Sequence, residues 1–149
     1  ITEPGRYIIG NAGVLLARVM HRKKAGGKEY IITDAGMNDL VRPSHYDAYH
    51  AVEAVQPREG RSVVDVVGPV CESGDFFALD REVENVESGD LVVVRTTGAY
   101  GYVMSFNYNA RPRVAEVLVD GDRFAVVTRR ERYEDLVRLE PERPDWRTA

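Results

Sequence analysis

A single cysteine, Cys71, leaves no pair for an internal disulfide and suits a reducing, cytoplasmic compartment. No apolar run approaches the roughly 20 residues that span a bilayer, so no transmembrane helix and no membrane partner is expected. The opening residues carry no signal-peptide pattern. Positive charge is in deficit: 20 Lys and Arg stand against 24 Asp and Glu, a net charge of -4. Nucleic-acid binding needs a basic surface, so no nucleic-acid partner is expected. The one basic cluster, His21-Arg22-Lys23-Lys24, precedes Ala25-Gly26-Gly27 and reads as a solvated strand end. His45 and His50 are spaced badly for helical metal ligation, and no Cys or His cluster suggests zinc. The chain begins at Ile1 rather than Met and reads as cut from something longer.

What is there is strand. A chain of 149 residues can bury a real core. Short Val-rich stretches alternate with turn formers. Strands are predicted at Leu15-Met20, Glu29-Asp34, His50-Val55, Ser62-Val67, Leu91-Arg95, Val114-Asp120 and Arg123-Thr128. Asp120-Gly121-Asp122 joins the last two as a hairpin, with Gly supplying a positive φ. The fold class expected is all-β, a Greek-key-like barrel or sandwich with one or two short helices. Thr128-Arg129-Arg130-Glu131 matches a capping box and predicts a helix near Glu131-Val137. A further turn or two of helix is expected at Tyr7-Ala12. The organisation expected is a linker at 1–12, a β-domain at 13–140 and a tail at 141–149.

Five segments carry chemistry. Gly68-Pro69-Val70-Cys71-Glu72-Ser73-Gly74-Asp75 places the thiol on a loop leaving a strand, among turn formers and carboxylates. A lone cysteine is more often a buried packing residue. The glycines and carboxylates argue against burial here, and no histidine context supports a thiol protease. Glu3-Pro4-Gly5-Arg6 offers a turn, a backbone open to an anion and a planar guanidinium fork, though an ordinary surface turn has the same composition. In Arg42-Pro43-Ser44-His45-Tyr46, proline biases Arg42 towards extended backbone. Arg42 and Tyr46 have the chemistry to bracket one carboxylate, against the plainer reading of a surface loop. Gly98-Ala99-Tyr100-Gly101 sets a tyrosine between small residues that let a ligand approach; core packing is the alternative. Asp34-Ala35-Gly36-Met37-Asn38-Asp39 precedes the Arg42 segment.

In their order along the chain, 3–6, 34–39, 42–46, 68–75 and 98–101, the segments resemble the diaminopimelate decarboxylase family, pyridoxal-phosphate enzymes of the alanine-racemase-like fold. The resemblance covers nearly the whole chain but only the C-terminal portion of that enzyme. It implies a C-terminal β-domain whose (β/α)8 barrel is absent here. It implies decarboxylation of meso-diaminopimelate to L-lysine, within lysine biosynthesis. It implies Glu3 at the pyridine nitrogen, Gly5 near the phosphate, and Arg6 on phosphate or substrate carboxylate. Arg42 and Tyr46 would hold the distal carboxylate, and Tyr100 would touch the cofactor phosphate and ring beside the substrate. Cys71 would donate the proton, and Glu72 would bind the distal amino group, on a loop entering the partner subunit's site of a homodimer. Asp75 matches an interface aspartate, and Asn107-Arg113 matches without an assigned role. The family's cofactor-bearing lysine has no counterpart among Lys23, Lys24 and Lys28. The chain alone is therefore expected to be inactive and free of pyridoxal phosphate. The competing readings are the β-module of another decarboxylase of this fold type, and a non-catalytic dimerisation or binding module.

Overall fold

The computed structural model describes residues 1–148, so the last residue of the 141–149 tail lies outside the described residues. The chain divides into two compact units, residues 1–105 and residues 106 onward.

The first unit is a six-stranded sheet in the order β3-β6-β1-β2-β4-β5. Its strands are β1 (Leu15–Ala25), β2 (Lys28–Thr33), β3 (Val52–Ala54), β4 (Arg61–Val67), β5 (Phe76–Glu84) and β6 (Leu91–Val94). Every pairing is antiparallel except β2 with β4. The β1–β2 turn is Gly26-Gly27, with φ of 60° and 79°, the two positive values that a type I′ turn requires. Edge strands β3 and β5 come together: Ala54 N–H donates to Glu84 Oε2, 3.4 Å away, so the sheet is a nearly closed barrel.

Period-two alternation fills the interior. Val92 and Val94 of β6, Val19 of β1, Val64 and Val66 of β4, and Phe77 and Val83 of β5 are all buried. Each such side chain contributes about 1.5–3 kcal/mol by leaving water. Valine suits this role because its branched χ1 is already restricted in a strand.

Strand β5 is absent from the sequence prediction. Asp80 takes φ 46°, and its N–H donates to Asp65 Oδ1 at 2.6 Å. That irregularity breaks the alternation of Phe76–Glu84 and hides a nine-residue strand.

Three short helices form: α1 (Gly5–Ile9), α2 (Arg42–Tyr46) and α3 (Tyr133–Val137). A 3-10 turn at Gly10–Ala12 follows α1, in the region expected to be helical. Helix α2 corrects the reading of Arg42 as extended. Pro43 sits in the first turn, where its missing N–H costs nothing, and the helix closes on Asp47 in the left-handed region.

The second unit holds the hairpin of β7 (Glu116–Asp120) and β8 (Arg123–Thr128). Gly121 takes φ 60° in the two-residue turn, as expected. The cap of α3 differs from the expected Thr128–Glu131 box. Asp135 accepts from Arg132 N–H at 2.7 Å and caps the helix instead. Thr128 is taken by Glu116 across the hairpin at 2.7 Å. Glu131 is taken by Asn107 Nδ2 at 2.7 Å and by the backbone N–H of Arg113 at 2.8 Å. The Arg113 amide is the largest influence holding the Glu131 carboxyl below its ordinary range. The Asn107–Arg113 segment thereby has a structural anchor inside its own unit. No helix among the described residues is long and apolar enough to cross a membrane.

Candidate active-site face

Four sequence-predicted residues converge on one face of the first unit. Helix α2 places Arg42 and Tyr46 on one side, since residues four apart share a helical face. The Arg42 guanidinium carbon lies 5.6 Å from the Tyr46 ring centre and 5.6 Å from the Tyr100 ring centre. A β-carbon built at Gly5 would stand 3.2 Å from the Tyr100 hydroxyl. The glycine of the first motif therefore faces the tyrosine of the fourth. Tyr46 and Tyr100 remain about half exposed, so the face is open.

The backbone makes this convergence possible. Gly98 N–H donates to Gly10 carbonyl at 3.0 Å, and Thr97 N–H to Gly13 carbonyl at 2.9 Å. The loop bearing Tyr100 is thus stitched to the segment after α1. A β-carbon at Gly98 would collide with the Ile9 carbonyl oxygen, and one at Gly101 with the Thr97 carbonyl oxygen. These glycines serve the close approach of the chain to itself. Tyr100 takes φ 58°, in the left-handed region that non-glycine residues rarely adopt. Strained backbone at a tyrosine on an open face is a common companion of function.

Arg6 follows Gly5 in α1 and lines a small cleft with Tyr7, Asn11 and Thr96. Glu3 is exposed ahead of the helix, and its carbonyl accepts Gly5 N–H at 2.9 Å. The assembled groups are the Arg42 guanidinium and two phenols, with the Arg6 guanidinium in the cleft beside Asn11 and Thr96. Arg42 Nε is buried without a hydrogen-bond partner among the described residues. A donor-rich set with a buried donor still to be satisfied fits an anionic group, phosphate or carboxylate.

Cys71 and Glu72 stand on a different segment, the loop 68–75. Both are exposed, which matches the expected accessible thiol rather than a packed one. The loop is tethered at its base. Asp75 is only 5 % exposed, and its two oxygens accept N–H groups from Met37 at 2.7 Å and Val70 at 2.5 Å. The aspartate matched to an interface position is thus engaged inside its own chain.

His50 is a buried residue the sequence reading set aside. It is 1 % exposed, with Nδ1 at 2.8 Å from the Arg95 carbonyl. Burial is the largest cause holding its pKa below the ordinary imidazole value; the Arg95 carbonyl opposes this, and the charges of Arg42 and Arg6 add to it. Its place beside the arginines has no local sequence signal, because the spacing of His45 and His50 speaks only to metal ligation.

Residues 6–98 match the family described as pyridoxal-dependent decarboxylase, C-terminal sheet domain. The diaminopimelate decarboxylase of Aquifex aeolicus is 53 % identical over 138 residues, covering 92 % of this chain and 33 % of its own length. The crystal structure of diaminopimelate decarboxylase from Helicobacter pylori complexed with L-lysine superposes with a TM-score of 0.86 at 46 % identity. It covers 93 % of this chain and 34 % of the other. A lysine/ornithine decarboxylase from Vibrio vulnificus, complexed with cadaverine, reaches a TM-score of 0.63 at 26 % identity, covering 70 % of this chain and 28 % of its own. The chain spans about a third of the length of the curated relatives it matches.

Proposed function

Because this chain belongs to the pyridoxal-dependent decarboxylase family, as its C-terminal sheet domain, we propose that it completes the active site of a diaminopimelate decarboxylase. The full-length enzyme would remove carbon dioxide from meso-diaminopimelate and give L-lysine. The observation that carries this reading is Arg42, stacked between Tyr46 and Tyr100 with its Nε buried. A simple diamino acid such as lysine or ornithine has no second carboxylate for such a cation. Diaminopimelate has one at the end remote from the bond that breaks.

In this reading Arg42 and Tyr46 grip the distal carboxylate by charge-assisted bonds. Glu72 takes the distal ammonium. Pyridoxal phosphate, when bound, supplies an electron sink for the departing carboxylate's electron pair. Gly5, Arg6 and Tyr100 are the residues of this chain suited to its phosphate, and Glu3 to its pyridine nitrogen. The donor set described above is compatible with that anion. Cys71 would deliver the proton that replaces the lost carboxylate, and its exposed loop suits a thiol that must reach outside its own unit. We read the working enzyme as a cytoplasmic homodimer, with the 68–75 loop serving the partner's site and a (β/α)8 barrel supplied by the remainder of the protein.

The test is carbon dioxide release by the full-length protein from meso-diaminopimelate, lysine and ornithine. Preference for diaminopimelate by orders of magnitude in kcat/KM is expected. Preference for lysine or ornithine would assign the chain to another decarboxylase of the same fold. No release from any of the three, with cofactor bound, would favour a binding module.

A further inference from the structure

We propose that Asp75 is a positioning residue, a clasp that fixes the Cys71–Glu72 loop against the turn leading into α2. The role assigned to that loop rests on the decarboxylase reading; the clasp itself does not.

The Asp75 carboxylate joins two segments far apart in sequence. Oδ2 accepts Val70 N–H within the loop, at 2.5 Å. Oδ1 accepts Met37 N–H in the 34–39 turn, at 2.7 Å. Its backbone closes the loop as well: its carbonyl accepts Gly68 N–H at 3.1 Å, and its N–H donates to the Glu72 carbonyl at 3.1 Å. The seam has no spare room. A β-carbon at Gly68 would fall 2.5 Å from the Gly36 α-carbon and would strike the Asp75 carboxylate. A β-carbon at Gly36 would fall 2.7 Å from Asp75 Oδ1. Two glycines facing one buried carboxylate are what a tight junction between loops requires.

The turn on the other side is itself rigid. Asp39 Oδ2 accepts Gly36 N–H at 3.0 Å, Asp39 N–H returns to the Gly36 carbonyl at 2.9 Å, and Asn38 is fully buried. The far end of the 68–75 loop meets α2: a β-carbon at Gly74 would lie 3.4 Å from the Ser44 β-carbon. The loop is thus bonded at its base to the 34–39 turn and lies close against α2, which carries Arg42 and Tyr46. Between those anchors, Cys71 and Glu72 stay exposed. A carboxylate is the right latch for this task. It offers only acceptors, and both partners are backbone donors that a side-chain amide would satisfy only on one side.

The experiment uses the full-length protein with Asp75→Asn. Amide hydrogen exchange at Met37 and Val70 should accelerate at least tenfold, while exchange in β6 stays unchanged. The kcat for diaminopimelate should fall at least tenfold with pyridoxal phosphate still bound. Val83→Ala, a buried truncation in β5 away from the seam, supplies the control for general destabilisation and should keep kcat near wild type. Gly68→Ala, which wedges the seam from the other side, should reproduce the Asp75→Asn pattern and serves if that variant does not fold. Unchanged exchange at Met37 and Val70 would overturn the clasp. Faster exchange with a kcat loss no larger than that of Val83→Ala would reduce Asp75 to a packing role and overturn its positioning role. If the wild-type enzyme does not act on diaminopimelate, the functional reading fails, and the exchange measurement still decides the clasp.

Discussion

The Arg42 guanidinium lies 5.6 Å from the ring centre of Tyr100, a residue brought from the far side of four intervening strands. Such a stack of cation on ring contributes about 0.5–2 kcal/mol, rising with desolvation. It also fixes the plane of the guanidinium fork before any carboxylate arrives.

Arg42→Ala in the full-length enzyme should weaken diaminopimelate binding by roughly 2–5 kcal/mol, the cost of truncating one partner of a buried charge pair. Arg42→Lys should rescue only part of this, since an ammonium lacks the planar fork. Activity on lysine, which has no distal carboxylate, should change far less. Equal losses on both substrates would make Arg42 a scaffold residue.

Cys71→Ala should lower kcat by a factor on the order of 10²–10⁴, the usual cost of removing a positioned proton donor. KM should move much less. Steady-state kinetics decides it, and an unchanged kcat would remove the thiol from the reaction.

His50 should make stability depend on pH in a defined direction. Its folded pKa lies below the ordinary value, chiefly because burial penalises the charged ring. The unfolded chain takes up a proton near about 6.5, while the folded chain resists it. Stability from this group is therefore complete above that pH and is lost as pH falls towards the folded pKa. Thermal unfolding from pH 8 to 5 should show a steeper decline for wild type than for His50→Gln. Parallel curves would mean that His50 titrates alike in both states.

Gly98→Ala should destabilise the first unit by about 1–3 kcal/mol, as overpacking does. The new methyl meets the Ile9 carbonyl and Gly13 N, both backbone, so no side chain can rotate away. The stitched loop should shift and carry Tyr100 with it, and weaker cofactor binding should accompany the lower Tm. A variant with wild-type Tm and cofactor affinity would show that the backbone relaxes without moving Tyr100.

Much of this protein is determined by local pattern. Short Val-rich runs mark β4 and β6, and alternate burial of Ala17 and Val19 in β1 and of Val92 and Val94 in β6 follows because a pleated strand turns successive side chains to opposite faces. The Gly26-Gly27 and Gly121-Asp122 turns are readable because positive φ selects glycine. The individual site residues were legible only as motifs in order. Nothing local in Gly5, Arg42 or Tyr100 says that they meet.

Tertiary structure decided the remainder. Strand β5 exists because β4 offers it a partner, although Asp80 interrupts its alternation. Glu131 looked like a helix cap until Arg113 and Asn107, distant in sequence, proved better donors for its carboxylate. The family resemblance matched Asp75 only to an interface aspartate. Only the approach of the Gly36 turn to Gly68 buries it and gives both its oxygens a backbone donor. Sequence fixes which groups each segment can offer, whereas the pairing of distant donors and acceptors depends on how the sheet brings the segments together.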